Sequence, residues 1–355
     1  MITLILVIFS IALLILVHEC GHFFSARFFK IKVEEFGFGF PPRILSRVKN
    51  GIRYSLNLLP LGGFVKIFGE QGEGEYSKES FASRPAWQRA IVLVAGVAMN
   101  VVCAWLFFSV AAGLGLPEIS ENAPVGTPVS VINIAPGSPA EKAGIAIGDI
   151  LMELRSSERS LRIESEEDVR DFVAAYRGEE ITMLVKHGNG IREILVTPRV
   201  SFPDGEGPLG IAMARLIVRR VSWLQAPLEG AKMVAESTVA TFGGLWDVLK
   251  RLVIRTGPSI AVSGPVGIFF FARDAHTLGA SFFLQFVALL SLNLGILNIL
   301  PIPALDGGRI LFVLIEKLRG VKIDAKIENM IHAVGFIFLI FLMIVVTYKD
   351  IVRIL

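Results

Sequence analysis

Charge is scarce in this chain. Of its 355 residues, 19% are Asp, Glu, Lys or Arg and 53% are hydrophobic, against roughly 25% and 45–50% in soluble domains. With a mean hydropathy of +0.62, that scarcity excludes a wholly soluble protein. The formal net charge is only +3, and no run of Lys and Arg is long enough to track phosphates, which argues against a nucleic-acid partner. Cysteine is scarcer still. Cys20 and Cys103 both lie in apolar blocks, so they build no disulfide framework and read as small buried hydrophobes.

The apolar residues are gathered into four blocks, each long enough for a spanning helix of roughly 20 residues. They predict a polytopic α-helical membrane protein with transmembrane helices over 1–30, 90–116, 282–305 and 329–347. The first block lacks a basic leading region and a small-residue cleavage site, so it reads as a retained anchor, not a signal peptide. Residues 24–89 hold 11 Lys or Arg in 66 positions and residues 306–328 hold 5 in 23. Segment 113–281 holds 17 in 169, with 20 Asp or Glu. By the positive-inside rule the two short basic segments belong in the cytoplasm. The N-terminus, the 113–281 segment and the C-terminus then lie outside it, across a plasma (inner) membrane.

His18-Glu19-Cys20-Gly21-His22 is an H-E-x-x-H motif. On a helix, positions i and i+4 share a face, so both imidazoles can reach one metal ion. Glu19 stands beside them, placed to take a proton from an attacking water. A helix starting at Ile2 has risen ~24 Å by His18, still inside a hydrocarbon core of ~30 Å, where ionisable groups mark function. Zn2+ lowers the pKa of bound water to roughly 7 and needs three protein ligands with one open position. Of the other histidines, His187 sits at a hairpin turn, His276 in an outer loop and His332 at the start of the last span; each reads as an ordinary polar residue. Asp306 differs. It closes Asn298-Ile-Leu-Pro301-Ile-Pro303-Ala-Leu-Asp306-Gly307-Gly308 at the cytoplasmic end of the third span, on the same membrane side as His18 and His22. The prolines and glycines unwind the helix there, which is tolerated at depth only where backbone lines a cavity. His18, His22 and Asp306 are thus the expected metal ligands and Glu19 the catalytic base. Asn298 is placed to hold a substrate carbonyl or an oxyanion.

These residues resemble the site-2 protease family of intramembrane zinc metalloproteases. Further similarity lies in Phe36-Gly37-Phe38-Gly39-Phe40-Pro41-Pro42, Leu59-Pro60-Leu61-Gly62-Gly63-Phe64-Val65-Lys66 and Gly264-Pro265-Val266-Gly267-Ile268. The resemblance is greatest to bacterial members of the regulator-of-sigma-E type, with room here for one PDZ-like module instead of two. It implies a membrane re-entrant β-hairpin within the cytoplasmic segment 31–89. A spanning helix hides its amides in its own hydrogen bonds, so a sheet edge beside the metal could hold the unwound substrate by strand addition. Tyr54, Gly63 and Phe64 are the candidates on that edge, and Pro301 joins Asn298 as a candidate substrate contact.

Residues 125–200 predict an inserted α+β domain. Strands over Val129–Ile134 and Asp149–Leu154 flank a turn at Pro136–Gly144, and an amphipathic helix covers Glu166–Tyr176. Strands over Ile181–His187 and Ile191–Pro198 flank Gly188-Asn189-Gly190, a hairpin signal. The order resembles a permuted bacterial PDZ domain, with Pro208-Leu209-Gly210-Ile211 either a carboxylate-binding loop or a plain turn. Residues 201–281 read as an amphipathic or linker region whose helical part could lie at the outer membrane surface. The implied activity is cleavage of single-span membrane proteins, such as anti-sigma factors or remnant signal peptides, in regulated intramembrane proteolysis. A membrane-anchored PDZ scaffold without chemistry is the alternative, and a metal transporter is disfavoured because the second and fourth spans carry almost no polar path.

Overall fold

The computed structural model describes residues 2–72, 74, 77–120, 123–124, 126–188, 190–203, 205–254 and 264–354. Asn189 of the expected hairpin turn, Val125 and residues 255–263 of the linker lie outside them. The chain divides into two compact units, one of residues 1–110, 224–273 and 284–355, the other of residues 111–223 and 274–283.

The first unit opens with α1 (Ile2–Phe28), whose buried positions Val7, Ser10, Leu14, His18, Gly21 and His22 recur every three or four residues. That stripe is one helix face, and it carries both histidines of the H-E-x-x-H segment. After α1 come β1 (Val33–Lys49) and β2 (Ile52–Ile67). Each is bent, β1 around Phe40–Pro42 and β2 before Gly63, so the expected hairpin is a curled sheet of four extended segments. Residues 33–38 pair on one side with 63–67 and on the other with 53–56, while 43–49 pair with 52–57. Prolines bring no N–H to a ladder, which is why the strands turn at Pro41 and Pro42. The outermost segments are therefore 43–49 and 63–67.

Next, α2 (Ala86–Leu114) runs against α1. Two glycines let the backbones approach, as small residues do between membrane helices. A Cβ on Gly21 would stand 2.2 Å from the Ala95 carbonyl oxygen, and one on Gly96 would stand 2.5 Å from His22 Nε2. Phe23, Ala26, Ile31, Val33, Ile67, Val92 and Val313 belong to one core that ties α1, the sheet and α2 to a later helix.

The second unit is a curled antiparallel sheet with small helices. Its strands are β3 (Leu116–Ile119), β4 (Val129–Ile134), then, after the short α3 (Pro139–Lys142), β5 (Ile150–Arg155) and β6 (Ser160–Arg162). After α4 (Glu166–Ala175) follow β7 (Ile181–His187), β8 (Gly190–Val196) and β9 (Ile211–Arg219). The order is β3-β9-β4-β5-β7-β8, with β6 on β5. The sheet thus recruits β3 and β9 from outside the 125–200 stretch, because β9 pairs with both β3 and β4. Val131, Leu154, Phe172, Met183 and Val185 are among its core. Ser138 caps α3 and Ser165 with Asp168 forms a capping box on α4, which satisfies otherwise orphaned helix N–H groups. The 208–211 segment is a turn whose carbonyls accept hydrogen bonds from Arg199, Ala140 and Ala135.

Returning to the first unit, α5 (Ala226–Ile254) lies along α2 and the third spanning helix. Trp105 Nε1–H donates to the Pro227 carbonyl at 2.8 Å, and Val234 and Leu245 pack on Ala104, Leu292 and Ile296. Gly230 makes room for Ser109, whose Oγ lies 2.2 Å from where a Cβ would stand. This helix is packed along two of the long apolar helices. Then come α6 (Pro265–Leu278), α7 (Ala280–Ile299), α8 (Asp306–Arg319) and α9 (Ala325–Ile354). Four helices, α1, α2, α7 and α9, are long and apolar enough to cross a membrane.

Candidate metal centre

Three elements bring the site together. The stripe on α1 supplies His18 and His22, and the N-terminus of α8 supplies Asp306. Between α7 and α8 the chain turns within residues 300–305. Gly307 and Gly308 let α8 start directly on that turn: a Cβ at Gly307 would stand 2.1 Å from the Leu300 carbonyl oxygen, and at Gly308 2.4 Å from that of Ile302. No larger residue fits there, and Asp306 is held close under α1.

The donor atoms converge. His18 Nε2 lies 2.9 Å from Asp306 Oδ2 and 3.1 Å from His22 Nε2, and His22 Nε2 lies 3.4 Å from Asp306 Oδ2. Among the described residues this is the one group of three or more His, Cys, Asp or Glu side chains able to share a metal ion. Zinc with ligand bonds of about 2.0–2.2 Å puts tetrahedral donors about 3.3–3.5 Å apart. The observed separations fall within about half an ångström of that, and two imidazoles with one carboxylate are a hydrolytic zinc set. The residues fit the ion.

Their orientation is fixed from outside. His22 Nδ1 donates to the Val92 carbonyl at 2.8 Å, so Nε2 keeps the lone pair that a metal needs. Asn100 is fully buried, its amide 3.3 Å from His18 Nδ1, and its Oδ1 has no hydrogen-bond partner among the described residues. Turned over, the same amide accepts the Nδ1 proton through Oδ1, again leaving Nε2 free. Glu19, on the next face of α1, accepts a hydrogen bond from the Val65 backbone N–H at 3.0 Å. Val65 belongs to segment 63–67 at the sheet edge, and Gly63 lies 3.6 Å from the Glu19 side chain, measured from an added Cβ.

A cavity of about 200 Å³ opens onto this cluster, lined by Ile15, His18, Glu19, Leu294, Asn298, Ala304, Leu305 and Asp306. Asn298 Nδ2 lies 3.4 Å from His18 Nε2. Asn298, Gly63 and Glu19 therefore share the neighbourhood of the donors. Pro301 is exposed on the turn and does not line this cavity. Tyr54 lines a separate apolar cavity of about 500 Å³ with Leu16, Phe36, Phe38 and Leu56, while the Phe64 ring covers Gly37.

A profile of Peptidase family M50 matches residues 6–342. This chain belongs to peptidase family M50, the site-2 proteases. A provisionally named zinc metalloprotease of Clostridium perfringens is 34% identical over 357 residues, covering 98% of each chain. A second, from Clostridium acetobutylicum, is 30% identical over 354 residues, covering 98% of this chain and 97% of that one. A chloroplastic protein of Arabidopsis thaliana, named provisionally as a membrane metalloprotease, is 30% identical over 345 residues, 95% of this chain and 77% of its own. The M50 chain is thus a zinc metalloprotease and a multi-pass membrane protein.

Two kinds of residue at the site escaped sequence reasoning. Gly96 and Asn100 lie in an apolar run with no flag beyond a glycine and an amide four residues apart. Val65 acts through its backbone, which no side-chain pattern reports. The remaining histidines are outside the donor cluster: His187 Nδ1 meets Asp149 Oδ1 at 2.6 Å, the His276 ring faces Phe283, and His332 Nδ1 accepts from the N–H of Ala304 in the cavity wall.

Proposed function

We propose that this M50 protein is an intramembrane endopeptidase that cuts single-span membrane substrates, with zinc held by His18, His22 and Asp306. The observation that carries the reading is the convergence of those three donors beside Glu19, in helices apolar enough to span a membrane. When bound, zinc supplies Lewis acidity that polarises a carbonyl and makes water nucleophilic near neutral pH. The chain's own residues do the rest. Glu19 Oε takes the proton from the attacking water and returns it to the leaving amine. The Val65 N–H keeps the Glu19 carboxylate from turning away. Asn298, from the cavity wall, orients the substrate carbonyl through its side-chain amide.

Segment 63–67 offers the outer backbone groups of a sheet edge next to Glu19. An unwound substrate strand can add there, replacing the helical hydrogen bonds it gives up. Gly63 supplies the close approach and Phe64 follows it on the same edge, whereas Tyr54, paired on both sides within the sheet, and Pro301, outside the cavity, stand away from that path. Substrates of this chemistry include anti-sigma factors and remnant signal peptides in regulated intramembrane proteolysis. The second unit acts as a PDZ-like module outside the cytoplasm that admits substrates already trimmed, with both termini on the same side of the inner membrane. Because β3 and β9 share its sheet, a deletion testing that filter should span residues 116–219.

The decisive experiment incubates purified wild type and Glu19→Gln with a single-span test substrate and measures zinc per chain. The expected result is one zinc on each protein and cleavage by wild type alone. Absence of zinc from the wild type, or equal behaviour of both proteins toward the substrate, favours a scaffold without chemistry and overturns the reading.

A further inference from the structure

The last helix, α9, touches the rest of the protein sparingly: only 6% of its apolar window is buried. Two of its residues, one turn apart, nevertheless meet the turn that precedes Asp306. His332 Nδ1 accepts a hydrogen bond from the Ala304 backbone N–H at 2.8 Å. Gly335 faces Pro303, so that a Cβ there would stand 2.5 Å from Pro303 Cβ and 2.8 Å from its carbonyl oxygen. Ala304 itself has φ 78°, a left-handed conformation that a residue with a Cβ keeps only when its surroundings hold it.

We propose that His332 is a positioning residue for the metal centre: it holds the Pro301–Leu305 turn and thereby sets where the Asp306 carboxylate stands. This rests on the reading of His18, His22 and Asp306 as zinc ligands. The tautomer follows from the donor. An amide N–H can bond only to a lone pair, so Nδ1 is bare and Nε2 carries the proton; that Nε2 makes no hydrogen bond among the described residues, and Glu328 Oε1 stands 3.9 Å from it. The Phe312 ring packs against the imidazole at 5.5 Å and limits its rotation. Without an acceptor at Nδ1, the N–H of the partly buried Ala304 would lose its partner, and the turn would move to find another. Asp306 follows two residues later, and zinc tolerates ligand displacements of only about 0.2 Å.

The test uses the full chain in detergent, with His332→Leu, His332→Asn and His332→Gln measured against wild type and Asp306→Asn. Asn can present its carbonyl oxygen where Nδ1 now lies, whereas Gln reaches the position of Nε2. Zinc dissociation constants from chelator competition are the primary readout, with kcat and KM on a single-span substrate beside them. His332→Leu and His332→Gln should bind zinc about 10–100-fold more weakly, with kcat falling more than KM changes, while His332→Asn stays within about threefold of wild type. Wild-type zinc affinity in His332→Leu, or His332→Asn as weak as His332→Gln, overturns the proposal. If the Leu variant does not fold, the Asn and Gln pair decides alone. Loss of zinc in Asp306→Asn with no effect at His332 rejects only this inference; zinc retained by Asp306→Asn rejects the ligand assignment beneath it.

Discussion

Replacing Gly96 by Ala should strip zinc from the protein while leaving its helices in place. The added Cβ would lie 2.5 Å from His22 Nε2, 2.7 Å from His22 Cε1 and 2.8 Å from His18 Cε1. Ordinary carbon contacts begin near 3.5 Å, so something must shift by about 1 Å. The His22 ring cannot easily step aside, because its Nδ1 is tied to the Val92 carbonyl at 2.8 Å, on the same helix as Gly96. A ligand nitrogen displaced by about 1 Å lies far outside the ~0.2 Å tolerance of a zinc bond. We expect zinc affinity to fall at least ~100-fold, or ~2.8 kcal/mol at 1.4 kcal/mol per decade. The metal-free protein should be far less affected. Ala gains ~1 kcal/mol over Gly in a helix, and local overpacking costs ~1–3 kcal/mol in the other direction. Chelator competition measures the first quantity and thermal unfolding of the stripped protein the second. A Gly96→Ala protein that binds zinc as tightly as wild type would refute the picture of two imidazoles pressed against a bare backbone.

Val65→Pro removes the N–H that holds Glu19 and is tolerable on an edge strand; zinc affinity should persist while kcat drops at least ~10-fold, and an unchanged kcat would contradict the role given to that amide. Ser165→Ala deletes the α4 cap and should cost about 1 kcal/mol, seen as faster hydrogen exchange over residues 166–175 in the intact protein. The neighbouring Asp168 carboxyl is held below its ordinary range chiefly by the Glu164 N–H, and also by Ser165. A depressed folded value means that its stabilisation is complete above the unfolded pKa of about 3.9 and disappears as pH falls through the lower folded value. Protection of α4 should therefore decline below about pH 4 in wild type, and that decline should be weaker in Asp168→Ala; identical profiles would rule out this carboxylate as the cause.

Much of the candidate site was legible because its residues are local in sequence or unusual in setting. His18 and His22 are four apart on one turn geometry, and three ionisable side chains inside an apolar block are hard to explain otherwise. Asp306 was legible from its prolines and glycines, which signal irregular backbone at depth. The curled sheet was only half legible. Its extended segments show in the alternation of residues 33–67, yet a pairing of 33–38 with two different partners depends on bends whose direction no local pattern encodes. The second unit's sheet was similarly underread, since β3 and β9 join it from beyond the stretch whose strands are evident.

Composition and spacing by themselves determined that the chain enters a membrane, that two imidazoles share a helix face, and that a distant carboxylate sits where a helix breaks. These depend on short-range geometry, 1.5 Å of rise and 100° of turn per residue, which a linear string preserves. Tertiary structure alone decided what surrounds those groups: the bare backbone at Gly96 and the amide of Asn100 beside the imidazoles, the Val65 N–H on Glu19, and the His332 ring on the turn before Asp306. Such contacts join residues dozens to hundreds of positions apart, and several run through backbone atoms that every residue carries. Nothing in a side-chain alphabet distinguishes them until the chain has folded.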